Sequence, residues 1–134
     1  MPTVLIADDH PNIRHLLRTF VETQTGLTVC GESSNGRDAI EKAMQLKPDI
    51  VILDLAMPEL NGIEAGSVLK RYLPNTRLVL FTMTVDGLGR TLATALGIDF
   101  VLSKEESINK LADYLKSLPA VSVQNNAESQ ATQF

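Results

Sequence analysis

The sequence predicts an α/β fold in which a parallel sheet lies between layers of helices. Two observations support this prediction: short apolar runs alternate with amphipathic helix-like segments, and most of the runs end at a polar residue. The clearest run covers residues 50–53, which are apolar throughout and lack the alternation of a half-exposed strand. Since parallel strands need helical crossovers, we expect helices on both faces of the sheet.

Length and charge set limits on the kind of protein. The 134 residues carry a formal net charge of −4, and this length suits one domain with its own core. The single cysteine, Cys30, can form no internal disulfide and is interpreted as a small buried residue in a strand. No lysine or arginine follows Lys116, which argues against a nucleic-acid surface. We see no signal peptide or membrane span and expect a cytoplasmic protein.

The first half of the chain predicts two strand–helix units before the central strand. A first strand over residues 3–7 leads to Pro11, which suits the first turn of a helix. The predicted buried face of that helix contains Ile13, Leu16, Leu17, Phe20 and Val21. After Gly26, a second strand over residues 27–30 leads to a helix whose predicted buried face contains Ala39, Ile40, Ala43 and Met44.

The second half predicts three more helices and two more strands. The third helix packs through Ile63, Gly66, Leu69 and Leu73. A fourth strand over residues 78–81 ends at Thr82. The fourth helix should be short and mobile because two glycines weaken its start, and its predicted apolar face contains Leu88, Leu92, Ala95 and Leu96. A fifth strand over residues 100–102 precedes a last helix that packs through Ile108, Leu111, Ala112, Leu115 and Leu118.

Five such units predict the flavodoxin-like (βα)5 arrangement, a three-layer sandwich around a five-stranded parallel sheet of order 2-1-3-4-5. The carboxyl ends of parallel strands share one edge, where five polar residues should therefore meet: Asp8, Asp9, Asp54, Thr82 and Lys104. Taken singly, each could be a strand-end cap or a solvated surface residue. Together, three carboxylates predict a shared site for a hard cation, since like charges repel unless a cation lies between them.

A change of composition marks the end of the predicted domain. From Pro119 onward Ser, Gln, Asn and Ala dominate without a periodic apolar face, so residues 119–134 should form a flexible polar tail after a domain of residues 1–118. Deleting residues 119–134 should therefore change the melting temperature little, as thermal unfolding of the two chains would show. A large loss of stability would mean that the tail docks on the domain.

The motifs together resemble the receiver domain of response regulators in bacterial two-component signalling. The resemblance covers residues 3 to about 118, and its spacing looks most like receivers of the NarL/FixJ kind, which precede helix-turn-helix outputs. It depends on the acidic pair, the residues after the central strand, and the ends of the last two strands: Asp8-Asp9, Asp54, Met57-Pro58, Asn61-Gly62, Thr82 and Lys104.

The resemblance implies a phosphoacceptor signalling domain rather than an enzyme, one that assists its own phosphorylation and dephosphorylation. Asp54 would take a phosphoryl group from the phosphohistidine of a sensor histidine kinase or phosphotransfer protein, or from a small acyl phosphate. The implied partners are that phosphodonor and a downstream protein target, with a phosphorylation-dependent dimer as a further possibility. The chain would be either a stand-alone receiver or the receiver part of a transcriptional regulator.

The resemblance also implies how the other site residues act. The implied cofactor is Mg²⁺. Its ligands would be the carboxylates of Asp9 and Asp54 and the backbone carbonyl of Ala56, with Asp8 acting through water. Lys104 would pair with one phosphoryl oxygen, and the Thr82 hydroxyl would bond another.

Three positions depart from the pattern common in the family. Glu105 follows Lys104, where many receivers have proline, and Met83 is bulkier than the small residue common there. Three residues before Lys104, where the family usually has a switching aromatic ring, the residue is Val101. We expect Val101 at the switch position, with a smaller surface change over residues 83–96; a bulge in the fifth strand would instead put Phe100 there.

Two other classes of protein use related features. A phosphohydrolase of the haloacid-dehalogenase type also forms an aspartyl phosphate, but it needs a second acid where this chain has Ala56. A flavodoxin-like electron carrier needs a phosphate-binding loop rich in Ser, Thr and Gly after the first strand. Here that loop begins with Asp8 and Asp9, which would repel a phosphate.

Overall fold

The structure, a computed structural model, describes residues 2–83 and 87–118 of the chain. Strands and helices alternate throughout: β1 (Thr3–Ala7), α1 (Pro11–Gln24), β2 (Thr28–Ser33), α2 (Gly36–Leu46), β3 (Ile50–Leu53), α3 (Gly62–Tyr72), β4 (Arg77–Thr82), α4 (Gly87–Ala95), β5 (Phe100–Ser103) and α5 (Asn109–Ser117). All strand pairs are parallel, and the order β2-β1-β3-β4-β5 confirms the predicted flavodoxin-like fold. Within the described ranges, no helix has the length and apolarity to cross a membrane.

The core has two parts, one on each face of the sheet. One part packs α2, α3 and α4 against the sheet, and the other packs α1 and α5. Neighbouring residues of a strand belong to different parts, as Leu5 and Ile6 of β1 do, because successive side chains point to opposite faces. All four residues of β3 are at most 1% exposed, which confirms the central strand as fully covered.

The prediction of a buried position is wrong for two residues on the first two helices. Leu16 of α1 is 54% exposed, and Met44 of α2 is 37% exposed. Leu16 precedes the buried Leu17, and Met44 follows the buried Ala43. Both of these buried neighbours belong to the core. Because adjacent helix residues differ by about 100° in direction, a side chain next to the contact line turns outward. Cys30 lies in β2 as predicted but is only half-buried, and burial raises the pKa of its thiol.

The predicted face of α4 is also wrong. Leu92 is 51% exposed and Leu96 is 39% exposed, Ala95 is exposed too, and the side chain of Leu88 lies outside the described part. Among the α4 residues whose burial is described, 89–95, the buried one is Ala93. Ala93 belongs to the core part that also contains residues of α2 and α3, so α4 contacts the core through this short side chain and not through the predicted leucine stripe.

Two glycines allow the loop after β3 to pack closely. A Cβ on Gly62 would lie 2.4 Å from the Asp54 carbonyl oxygen, and a Cβ on Gly36 would lie 2.0 Å from that of Leu60. Gly62 begins α3 directly after Asn61, whose side chain accepts from the backbone N–H of Glu64 in a capping box. The predicted Asn61-Gly62 turn is therefore a helix start that holds the loop against the end of β3.

Candidate functional site

The carboxyl edge of the sheet positions the candidate site. Asp8 and Asp54 continue their strands by one step, since their backbone N–H groups donate to the carbonyls of Ser33 at 3.0 Å and Ala7 at 2.9 Å. Lys104 follows β5 and its N–H donates to the Thr82 carbonyl, which ends β4. Backbone pairing thus brings these residues to one edge although they are far apart in sequence.

Lys104 bridges two buried carboxylates at this edge. Its Nζ lies 2.8 Å from Asp8 Oδ2 and 3.4 Å from Asp54 Oδ2. The three side chains are nearly inaccessible, with exposed fractions of 7%, 2% and 3% for Lys104, Asp8 and Asp54. The side chain of a solvated surface lysine would be largely exposed, so the burial of Lys104 favours a role for it in the site.

The electrostatic state of Asp54 follows from its surroundings. Burial raises the pKa of the Asp54 carboxyl above its ordinary value, and the neighbouring Asp8 raises it further. Lys104 and the backbone N–H of Ala56 act in the opposite direction without reversing the shift. An ionised Asp54 is therefore costly here unless more positive charge is supplied.

A metal-binding arrangement surrounds Asp54. Four residues offer ligand atoms that lie within 4.8 Å of one another: Asp8, Asp9, His10 and Asp54. Asp9 Oδ1 is 3.0 Å from His10 Nδ1 but outside hydrogen-bonding geometry, so among the described residues this buried oxygen has no hydrogen bond. Three carboxylates with ligand oxygens this close together fit a hard divalent cation such as Mg²⁺, which prefers oxygen ligands.

Sequence reasoning missed His10 as a member of this group. Its backbone N–H donates to Asp8 Oδ1 at 2.9 Å, and its Nδ1 lies 3.1 Å from the same oxygen. The signal was its position directly after the acidic pair. Ala56 lies beside Asp54 through its backbone N–H, while a metal-binding role of its carbonyl stays a prediction.

Thr82 and Met83 lie where β4 ends. Thr82 is buried at 3% exposure, whereas Met83 is 57% exposed. Thr82 pairs with Ser103 in the β4–β5 ladder, and the Ser103 hydroxyl donates to the Met83 carbonyl at 2.9 Å. The end of β4 is therefore tied to the end of β5 beside the site.

The structure places Val101 and Phe100 on opposite faces of β5. The β4–β5 register is continuous from Val79 opposite Phe100 to Thr82 opposite Ser103, so the bulge alternative is wrong. Phe100 stacks on Tyr114 of α5 with ring centroids 4.2 Å apart, while Val101 packs against the core on the α4 side. Strand alternation thus holds the Phe100 ring on the α1 and α5 side of the sheet.

An ion-pair network missed by sequence reasoning connects α4, β5 and α5. Arg90 of α4 donates to the Val101 carbonyl at 2.8 Å and to Glu106 Oε2 at 2.7 Å. The Glu106 carboxylate also accepts from the Ser103 N–H and from Lys110 Nζ. These donors, Ser103 first, lower the pKa of Glu106 to about 2. Only the spacing of Glu106 and Lys110, four residues apart, was a visible signal.

Known proteins share this fold and sequence. The chain matches the response regulator receiver domain family over residues 4–116. Response regulator protein VraR of Staphylococcus saprophyticus is 35% identical over 113 residues, which make up 84% of this chain and 54% of that protein. A LuxR-family two-component response regulator from Aurantimonas sp. superposes with a TM-score of 0.79 at 27% identity, covering 83% of this chain and 79% of that one.

A third similar structure is RcsB from Salmonella enterica serovar Typhimurium, bound to promoter rprA in the presence of phosphomimetic BeF3−. Its TM-score is 0.78 at 26% identity, with 85% of this chain and 65% of that chain covered. The fold and the acidic edge of the sheet define a receiver-type signalling domain. The chain belongs to the response regulator receiver domain family of two-component systems, and it spans about half the length of the VraR relative. The phosphohydrolase and electron-carrier alternatives are not favoured by these matches.

Proposed function

We propose that Asp54 of this receiver accepts a phosphoryl group from the phosphohistidine of a sensor histidine kinase or phosphotransfer protein, or from a small acyl phosphate. The observation that supports this most directly is the buried arrangement of Asp54, Asp8 and Lys104 at the carboxyl edge of the sheet. A carboxylate oxygen of Asp54 attacks phosphorus, the donor's P–N or P–O bond breaks, and the leaving group keeps the electron pair. The product is an aspartyl phosphate.

The neighbouring residues have separate roles in this proposal. Asp9, Asp54 and the Ala56 carbonyl would hold Mg²⁺, with Asp8 acting through water, and the bound ion would supply positive charge that neutralises the phosphoryl group during transfer. Lys104 releases its contacts with the two carboxylates and pairs with a phosphoryl oxygen as a point charge. The Thr82 hydroxyl donates to a second phosphoryl oxygen.

The metal-site proposal is tested with Asp9→Ala. The variant should bind Mg²⁺ about tenfold more weakly or worse, because it loses a ligand whose buried oxygen lies in the acidic cluster. Isothermal titration with MgCl2 measures the dissociation constant. Asp113→Ala, which removes an exposed carboxylate of α5, is the matched control and should bind as wild type does. Unchanged affinity in Asp9→Ala would contradict the shared site.

We propose further that phosphorylation changes the surface of α4 without an aromatic switch. Val101 occupies the switch position and has only a short branched side chain with a stiff χ1. Thr82 is connected through its ladder partner Ser103 to Glu106 and Arg90, so movement at Thr82 reaches α4 by this route. The expected change is centred on residues 83–96.

Backbone chemical shifts with and without beryllofluoride, a phosphoryl mimic, test this coupling. Shift changes should concentrate in residues 83–96 and persist in Phe100→Ala, because the Phe100 ring lies against Tyr114 on the other face of the sheet. Changes across α4 and α5 that disappear in Phe100→Ala would show that Phe100 takes part in the switch.

A further inference from the structure

Arg14 occupies a position that helix stability does not explain. It lies in the first turns of α1, which begins at Pro11, and the positive end of the helix dipole disfavours a cation there. The first turn contains no acidic residue, and His10 provides no side-chain cap. Arg14 nevertheless makes specific contacts, since its side chain is only 19% exposed and its Nε lies 3.2 Å from Glu32 Oε1.

The guanidinium of Arg14 reaches the backbone of the acidic pair. Its Nη1 donates to the carbonyl oxygen of Asp8 at 2.6 Å. That carbonyl belongs to the peptide unit that joins Asp8 to Asp9, and a peptide unit is planar. Fixing the direction of the carbonyl therefore fixes the direction in which the chain enters Asp9. Asp9 is the residue whose buried Oδ1 has no hydrogen bond among the described residues.

Glu32 orients Arg14 from the end of β2. Burial acts to raise the pKa of Glu32, but Arg18 and Arg14 together hold it below its ordinary value, so the carboxylate stays ionised at neutral pH. Arg18 Nη1 lies 2.5 Å from Glu32 Oε2, on the oxygen that Arg14 does not use. The guanidinium of Arg14 thus bonds a carboxylate through Nε and a carbonyl through Nη1, a geometry that the fixed fork of arginine allows.

We infer that Arg14 is a positioning residue for the metal site, acting through the Asp8 carbonyl to aim Asp9 at the cation. The inference rests on the proposed Mg²⁺ site. A residue that orients a metal ligand in this way typically changes metal affinity by about 10–100-fold when it is removed.

Charge alone predicts the opposite effect of removing Arg14. A guanidinium near a cation site repels the cation, so its loss by itself would strengthen Mg²⁺ binding. If Arg14 served only as an ion-pair partner of Glu32, its removal would change the stability of the fold slightly and would leave Mg²⁺ affinity unchanged. Weaker binding on removal of Arg14 is therefore specific to a positioning role.

Arg18 provides a matched control. It shares Glu32 with Arg14 on the same helix, but its other hydrogen bond goes to the Val29 carbonyl at 3.5 Å and not to the acidic pair. Arg14→Ala and Arg18→Ala each remove one positive charge and one partner of Glu32. Only Arg14→Ala removes the bond to Asp8.

The experiment compares Mg²⁺ titrations of wild type, Arg14→Ala and Arg18→Ala by calorimetry, with the backbone amide shift of Asp9 as a second measurement. Arg14→Ala should raise the Mg²⁺ dissociation constant about tenfold and move the Asp9 amide signal in the metal-free protein. Arg18→Ala should leave the constant within about twofold, because the hydrogen bonds of Arg18 go to Glu32 and the Val29 carbonyl and its partly exposed charge is screened by salt. Equal constants for wild type and Arg14→Ala, or tighter binding by Arg14→Ala, would overturn the inference.

Two further results separate folding and the proposed function from the inference. If Arg14→Ala does not fold, Arg14→Met keeps the apolar stem of the side chain and should show the same weakening. If wild type shows no saturable Mg²⁺ binding, the proposed metal site fails and the inference fails with it. If wild type binds and Arg14→Met binds equally well, only the positioning role fails.

Discussion

Asp54→Asn should abolish phosphorylation by acetyl phosphate in the presence of Mg²⁺. The amide that replaces the carboxylate is a poor nucleophile, and no other carboxylate in the cluster lies at the end of β3 beside both Lys104 and the Ala56 N–H. Intact-mass measurement should show one added phosphoryl group on wild type and none on the variant.

The matched control for this experiment is Asp113→Asn, which changes an exposed carboxylate of α5 in the same way. It should be phosphorylated as wild type is. Equal labelling of wild type and Asp54→Asn would remove Asp54 from the proposed role, and peptide mapping would then locate the true acceptor.

The same variant should be more stable than wild type at neutral pH without Mg²⁺. Burial and Asp8 raise the pKa of Asp54 in the folded protein above its unfolded value. Such a group favours the folded state while it is protonated, and this contribution is lost as the pH rises through the folded pKa. Asparagine stays neutral at every pH, so we expect a gain in stability at neutral pH that shrinks in acid. Denaturant unfolding at several pH values measures it, and a less stable variant at neutral pH would contradict it.

Gly62→Ala should damage both the fold and the site. The added Cβ would lie 2.4 Å from the Asp54 carbonyl oxygen and 3.0 Å from the Leu55 Cα, and backbone cannot move aside as a flexible side chain can. Overpacking of this kind typically costs about 1–3 kcal/mol. Since the movement that relieves the contact displaces Asp54, phosphorylation by acetyl phosphate should also slow sharply.

Gly26→Ala is the control for Gly62→Ala. Gly26 has a φ of 74° and no atom within 4 Å of an added Cβ, so alanine there costs only the backbone strain of about 1 kcal/mol. Its phosphorylation rate should equal that of wild type. In a helix without such a close contact, alanine is more stable than glycine. A Gly62→Ala variant that is as stable as wild type would therefore show that the close approach of α3 to the end of β3 does not restrict this position.

Local patterns were sufficient to predict the sheet and the residues at its carboxyl edge. A fully apolar strand such as residues 50–53 is distinguishable from an amphipathic helix by its period. Right-handed crossovers limit the possible strand orders, and the order 2-1-3-4-5 is the one typical of the flavodoxin-like arrangement. Once the strands are parallel, the residues that end them must meet. This is why Asp8, Asp54 and Lys104 could be placed together before any distance was known.

Tertiary structure alone decided which side of α4 is buried and how the site is held. A leucine stripe shows that a helix has an apolar face, but the space above the sheet determines that Ala93 is buried and Leu92 is exposed. The bonds of Arg14 to the Asp8 carbonyl and of Arg90 to Glu106 join different elements. The sequence by itself therefore determined the fold and the edge where the acids meet, because periodicity and strand ends are local. Long-range contacts depend on how the elements pack, and they determined the orientation of those acids.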